Sequence, residues 1–231
     1  MALKMYDLAA ADAAIRFSPH CWRTRMAIAH KGLDVETIPW RFTDKDVIAF
    51  SGQGATPVLV DDGACVVDSW AIAVHLDDAY PDTPKLFEGP QARAHAHFIK
   101  TWCERVVHPG IIKQILPQLF DMLHEKDKPY FRESRETRFG ISLEAFAANA
   151  DDVLPAFRAA LAPLRVTLES QPFLGGTSAS FADYIVFGAF QWARVSSARQ
   201  LLEDGDPIIA WRQRLLDMFD GLAGAMPERT A

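Results

Sequence analysis

Three short stretches of this chain carry residue types that could do chemistry together. Ser18-Pro19-His20-Cys21-Trp22 follows the strand-like run Leu3-Lys4-Met5-Tyr6-Asp7-Leu8 and opens a helical pattern. A hydroxyl residue followed by proline predicts Ser18 as helix N-cap and Pro19 as the first helical residue. The first backbone N–H groups of such a helix and its dipole favour negative charge. The turn could therefore hold an anion, in particular a thiolate, beside the Ser18 hydroxyl. An ordinary helix start would look the same. The second stretch is Thr56-Pro57, at the mouth of the run Val58-Leu59-Val60. Proline there is confined to a strand start, an edge or a cis bond. The third is Asp68-Ser69, ahead of the helical pattern Trp70, Ile72, Ala73, Val74, Leu76. It could cap that helix, bind a carboxylate and an ammonium group, or do both.

The elements that must position these residues follow in order. A strand, a helix and a second strand precede a hairpin turning at Asp61-Asp62-Gly63 into Cys65-Val66-Val67, and a helix ends near Tyr80-Pro81. The stretch Pro81 to Pro90 holds three further signals of a linker, Pro84, Gly89 and Pro90 itself. Beyond it the sequence predicts helices only. Ala92 to Leu123 reads as one or two helices bent or broken by Pro109 and Pro117, and Asp127 to Gly140 as a polar loop with short helical pieces. Leu143 to Leu168 reads as helix interrupted at Leu154-Pro155 and Ala162-Pro163. Ser180 starts a helix through Trp192, Pro207 opens another through Phe219, and the tail from Met226 is expected to fray. This gives an α/β part over residues 1–82, a linker over 83–90 and an all-α part over 91–231.

The pattern resembles the glutathione S-transferase superfamily over nearly the whole chain. Ser18-Pro19-His20-Cys21 occupies the place of the glutaredoxin thiol motif, with serine at the nucleophile position. Thr56-Pro57 resembles the family's cis-proline corner, and Asp68-Ser69 its acidic-serine pair for the glutathione γ-glutamyl group. Phe173-Leu174-Gly175-Gly176 with Ser180-Phe181-Ala182-Asp183 is similar to the capping-box element of the family's helical domain. The resemblance implies a thioredoxin-like domain followed by an all-helical domain, glutathione as cosubstrate, and a homodimer. A narrower resemblance, to bacterial β-etherases and their fungal relatives, rests on several further stretches. They are Phe17-Ser18-Pro19 with Trp22-Arg23-Thr24, Ala29-His30-Lys31-Gly32, Val60-Asp61-Asp62-Gly63, Asp68-Ser69-Trp70, Tyr80-Pro81-Asp82 with Leu86-Phe87-Glu88-Gly89-Pro90, and Tyr130-Phe131-Arg132 with Ser134-Arg135-Glu136. It implies glutathione-dependent cleavage of aryl ethers.

On that reading Ser18 is a hydrogen-bond donor to the glutathione sulfur, not a nucleophile. A charge-assisted bond of about 1.5–3 kcal/mol lowers a thiol pKa by about one to two units. The Thr56 backbone pairs with the cysteinyl unit as an added strand would. Ser69 receives the γ-glutamyl carboxylate, Asp68 the ammonium group, and Arg41, Trp40 and Gln53 are candidates for the glycyl carboxylate. Tyr6 is expected to pack rather than to act, and Cys21 to be a spectator without a dithiol partner. The hydrophobic aromatic electrophile belongs between the two parts, with Phe17, His20, Trp102, Phe120 and Tyr130 as candidate contacts. Two rival functions remain: a general conjugating or peroxide-reducing transferase, and a non-catalytic binding module of the same fold.

Composition narrows the partners. Of 231 residues, 49% are hydrophobic and 23% charged, and the net charge of −6 favours neither nucleic acid nor an anionic membrane surface. No apolar run reaches membrane-spanning length, and the first residues lack a signal-peptide core. Three scattered cysteines fit a reducing cytoplasm. His95 and His97 point to different helix faces, so no metal is expected.

Overall fold

The computed structural model describes residues 3–230. Four strands form one mixed sheet: β1 (Leu3–Leu8), β2 (Val35–Trp40), β3 (Val58–Asp61) and β4 (Ala64–Val67), in the order β2-β1-β3-β4. β1 and β2 run parallel, from Leu3 opposite Val35 to Leu8 opposite Trp40. Helix α1 (Pro19–His30) makes the crossover between them. β3 lies antiparallel to both β1 and β4. The β3–β4 turn has positive φ at Asp62 and Gly63, the conformation an Asp-Gly hairpin loop adopts. Helix α2 (Ser69–Ala79) completes this part.

Helices follow from Gly89 onward. α3 (Gly89–Trp102) passes through a π-helical turn at Cys103–Val107 into α4 (His108–Asp121). Pro109 falls in the first turn of α4, where its missing N–H costs little, and Pro117 is carried inside it. Then come α5 (Lys128–Phe139), α6 (Leu143–Ala148), α7 (Ala150–Ala160), α8 (Ala162–Ser170), α9 (Phe181–Ser196) and α10 (Pro207–Gly221).

Four sequence expectations need correction here. The polar stretch expected as a loop is the regular helix α5, started by Pro129 and stopped by Gly140 at φ 73°. Phe131 is its buried contact, and Arg132 pairs with Glu136 one turn on. A helix with so narrow an apolar stripe reads as loop by composition. Pro155 does not break α7, although Pro163 does open α8. α9 runs four residues past Trp192. The tail is not frayed at Met226: Arg194 of α9 donates to the Met226 carbonyl (2.8 Å) and accepts from the Arg229 N–H (3.0 Å).

The two parts are joined by buried polar contacts as well as apolar packing. Lys31, at the end of α1, is buried and donates to Asp77 (2.9 Å). The Asp77 carboxylate also accepts from the backbone N–H groups of Leu86 and Phe87 (both 3.0 Å), which fixes the linker. His30 bridges Tyr184 of α9 (2.7 Å) and the Lys85 carbonyl (3.0 Å).

α9, buried along most of its length, packs on α1. Gly188 makes that approach possible, since a Cβ there would lie 2.4 Å from the Pro19 carbonyl oxygen. Gly188→Ala must therefore push apart α9 and the first turn of α1, the turn that Ser18 caps. The expected result is a stability loss of about 1–3 kcal/mol, as for other overpacked cores, seen as a lower thermal midpoint. Activity should fall further than in an overpacked variant remote from α1. Wild-type stability and activity in Gly188→Ala would contradict this packing.

Candidate active site

The cleft between the two parts encloses about 940 Å3. Ser18, Thr56 and Asp68 all line it, each delivered by a different element of the sheet part.

Ser18 is buried and has extended backbone angles, as an N-cap should. Its hydroxyl accepts from the Cys21 N–H (3.3 Å), which leaves the O–H proton able to donate. The Thr56–Pro57 bond is cis. The β3 ladder begins at Val58, one residue beyond Pro57, so Thr56 lies outside it. Among the described residues no hydrogen bond uses the Thr56 N–H or C=O. An extended peptide could take both. Asp68 has φ 73°, an uncommon conformation for a non-glycine residue. Its Oδ1 caps α2 by accepting from Trp70 (2.9 Å) and Ala71 (3.1 Å), while among the described residues Oδ2 has no hydrogen-bond partner. Ser69 is buried, and its Oγ likewise has no hydrogen-bond partner among the described residues. An orphaned hydroxyl at a helix N-terminus, next to a half-used carboxylate, fits the carboxylate and ammonium of an α-amino acid group.

Arg41 and Gln53 are not brought to the cleft wall. Arg41 donates to the carbonyls of Ala10 (3.1 Å) and Ala11 (3.0 Å), which tie it to the loop after β1. Gln53 is exposed in the loop before Thr56, its N–H bonded to Ser51 Oγ (3.2 Å). Trp40 and Lys45 line the cleft there instead. Lys45 donates to the Gly54 carbonyl, with its ammonium 4.9 Å from the Trp40 ring centroid and 5.1 Å from that of Tyr130. Lys45 lies in a 3₁₀ turn (Lys45–Ser51) that carries no sequence motif, so the residue types alone did not single it out.

The opposite wall is helical, and aromatic residues of both parts line the cleft. Phe17, His20 and Tyr130 line the cleft as expected, whereas Trp102 and Phe120 do not. Phe42, His108, Phe139 and Trp192 join them, contributed by elements distant in sequence. His20 and His108 meet edge to face with centroids 5.3 Å apart, and His108 meets Trp192 at 6.0 Å. Burial first, and the Arg23 charge second, hold both imidazoles neutral, with His108 pushed down to about 3. Neither can supply a proton near neutral pH.

Cys21 is wholly buried, with its thiol 3.5 Å from Thr56 Oγ1. Burial pushes that thiol upward, and pushes Cys103 up to about 12. Cys65 is exposed on β4. Iodoacetamide should therefore alkylate Cys65 alone in the native protein, read by peptide mass. Labelling of Cys21 at a comparable rate would contradict its burial. Tyr6 packs against Phe50 (5.5 Å between centroids). Among the described residues no cluster of three or more His, Cys, Asp or Glu could hold a metal ion.

Residues 13–84 match the family model for the glutathione S-transferase N-terminal domain, and residues 94–212 that for the C-terminal domain. The second match alone spans half of the chain. The chain belongs to the glutathione S-transferase superfamily. It is similar in structure to glutathione transferase GSTFuA3 of Phanerochaete chrysosporium, with TM-score 0.84 and 26% identity, covering 93% of this chain and 96% of that one. A glutathione S-transferase of Ceriporiopsis subvermispora, solved in complex with glutathione, shares the fold (TM-score 0.84, 24% identity, covering 99% and 100%). In sequence, the chain is 33% identical to glutathione S-transferase Z2 of Arabidopsis thaliana over 109 residues. That match covers 45% of this chain and 47% of the plant protein, so the chain matches only about half the length of that relative. No described helix is long and apolar enough to cross a membrane.

Proposed function

We propose that this glutathione transferase activates the glutathione thiol at Ser18 for attack on a hydrophobic aromatic electrophile held against the helical wall. One observation carries the reading: a donor-competent hydroxyl at the N-terminus of α1 faces the same cleft as the unpaired backbone of Thr56 and the free oxygen of Asp68. Bound glutathione supplies a sulfur nucleophile. Ser18 and the α1 N-terminus stabilise its negative charge. The Thr56 backbone beside Pro57 orients the cysteinyl unit, and Asp68 with Ser69 holds the γ-glutamyl end. Lys45 takes the glycyl carboxylate, in the role first considered for Arg41 and Gln53. Phe17, Phe42, Tyr130 and Trp192 exclude water and receive the ring of the electrophile.

Within this class we favour β-aryl ether cleavage, on the narrower sequence resemblance and an aromatic-lined cleft. A phenolate leaving group, with a pKa near 10, departs without a general acid, and the two neutral imidazoles of the cleft are poor proton donors. We propose that it works in the cytoplasm as a homodimer, a reading that its free thiols and its family support. The deciding experiment incubates it with glutathione and a model β-aryl ether. Phenol and a glutathione thioether should appear in equal amounts. Conjugation of aryl halides or reduction of hydroperoxides, with no ether cleavage, would favour the general transferase. No glutathione binding at millimolar concentration would favour the binding module.

A further inference from the structure

The chain as a whole is acidic, yet its cleft is not. Six cations line it, Lys45, Lys100, Arg105, Lys113, Arg135 and Arg138, against two carboxylates, Asp68 and Glu104. Glu104 is paired with cations of its own, and Asp68 belongs to the glutathione end of the cleft. Asp68 caps α2, and Glu104 takes Lys100 (3.0 Å) and the buried Arg23 (3.3 Å). With Lys45 placed near the glutathione end and Lys100 paired with Glu104, four of the six cations remain, all on the helical wall. Among the described residues none of Arg105, Lys113, Arg135 and Arg138 forms an ion pair.

Arg135 is the most constrained of the four. Its guanidinium lies 4.5 Å from the Phe131 ring centroid and 5.7 Å from that of Phe42. Its guanidinium donates to the Ser134 hydroxyl (2.9 Å). Partial burial and the neighbouring Arg138 charge both disfavour its charged form. Guanidinium stays protonated all the same, so repulsion persists until an anion arrives. Arg138 sits one helical turn on, over Phe139 (5.8 Å). Positive charge interleaved with aromatic faces recognises a ring that bears an anionic group.

We propose that the helical wall is an anion subsite, and that the preferred electrophile is an aromatic molecule carrying a carboxylate. This rests on the transferase reading and narrows its substrate class. The glycyl carboxylate of glutathione is the other source of the same chemistry, so the test must separate the two.

The experiment measures binding of 3-nitrobenzoate and of 3-nitrobenzamide to the protein saturated with S-methylglutathione, by quenching of tryptophan fluorescence. The carboxylate should bind at least about tenfold more tightly than the amide at 50 mM salt, and the preference should shrink at 500 mM salt as screening grows. In the double variant Lys113→Gln/Arg138→Gln, both exposed side chains, the ratio should fall to within about twofold of one, and Arg138→Glu should invert it. Equal binding of the two probes by the wild type would overturn the subsite. So would an unaltered preference in both variants. A tenfold weaker Kd for glutathione itself in the double variant, with the probe ratio intact, would assign these cations to the glycyl carboxylate instead. Turnover of 4-fluoro-3-nitrobenzamide with glutathione checks the underlying transferase separately: its absence is a failure of that reading, whereas turnover without a carboxylate preference removes the subsite alone.

Discussion

Ser18→Ala should lower kcat/KM at pH 7 by roughly 10- to 100-fold, the equivalent of the one to two pKa units that a charge-assisted hydrogen bond supplies to a thiolate. The loss should have a particular shape. The activity limb set by thiol ionisation moves to higher pH by about the same one to two units, and the deficit narrows as alkali ionises the thiol without help. His20 and His108 should add no limb between pH 6 and 8, because burial keeps both imidazoles neutral there. The substitution also removes the cap that accepts from the Cys21 N–H, at a cost of about 1 kcal/mol, which for a chain of this size lowers the thermal midpoint by about 2–4 °C. Thermal unfolding therefore separates the two roles. A uniform fall in rate at every pH, with the limb unmoved, would mean that Ser18 acts only as a helix cap.

Asp183→Ala is the change expected to cost most stability. The carboxylate is fully buried and accepts from five donors: the N–H groups of Leu174 (2.7 Å), Gly175 (3.0 Å) and Ser180 (3.0 Å), the Ser180 hydroxyl (3.2 Å) and Trp211 Nε1 (2.9 Å). It thus joins the loop before α9, the start of α9 and the middle of α10. Alanine leaves several buried donors without an acceptor, each costing about 1–3 kcal/mol though not additively. A total near 4 kcal/mol corresponds to a thermal midpoint lower by roughly 8–16 °C. Asp183 is absent from the cleft wall, so the folded fraction should keep kcat/KM within about twofold of wild type. A drop of less than 3 °C, or slowed chemistry in fully folded protein, would show that this network is not what holds the helical part together.

Much of the sheet part was legible because its signals are local. Ser18-Pro19, the Asp62-Gly63 turn and Asp68-Ser69 each place a terminus through the conformational limits of two adjacent residues. The helical part was less so. α5 was hidden by its polar composition, and Pro155 sits inside a helix that the surrounding packing sustains. For the site, Ser18, Thr56 and Asp68 at or beside element starts reach the cleft, whereas Arg41 turns to the carbonyls of Ala10 and Ala11. Lys45 was out of reach of pattern reading because only the fold brings its 3₁₀ turn beside Trp40 and Tyr130. Several residues that carry the narrower family resemblance also turn out to hold the scaffold. Trp22 donates to the Arg16 carbonyl (2.8 Å), His30 bridges the two parts, and Lys31 is sealed against Asp77. They explain why the cleft forms, while the substrate class proposed for it rests on side chains elsewhere, on α5 above all.

The most direct test of the account is the ionisation of the bound thiol. The protein would be saturated with glutathione and the thiolate absorbance near 240 nm followed against pH, in the wild type and in Ser18→Ala. The expected thiol pKa in the wild-type complex lies about one to two units below that of a free thiol near 8.5, and returns most of the way toward it in the variant. A bound thiol that ionises at the free value in both proteins would contradict activation at Ser18, and with it the mechanism proposed for this cleft.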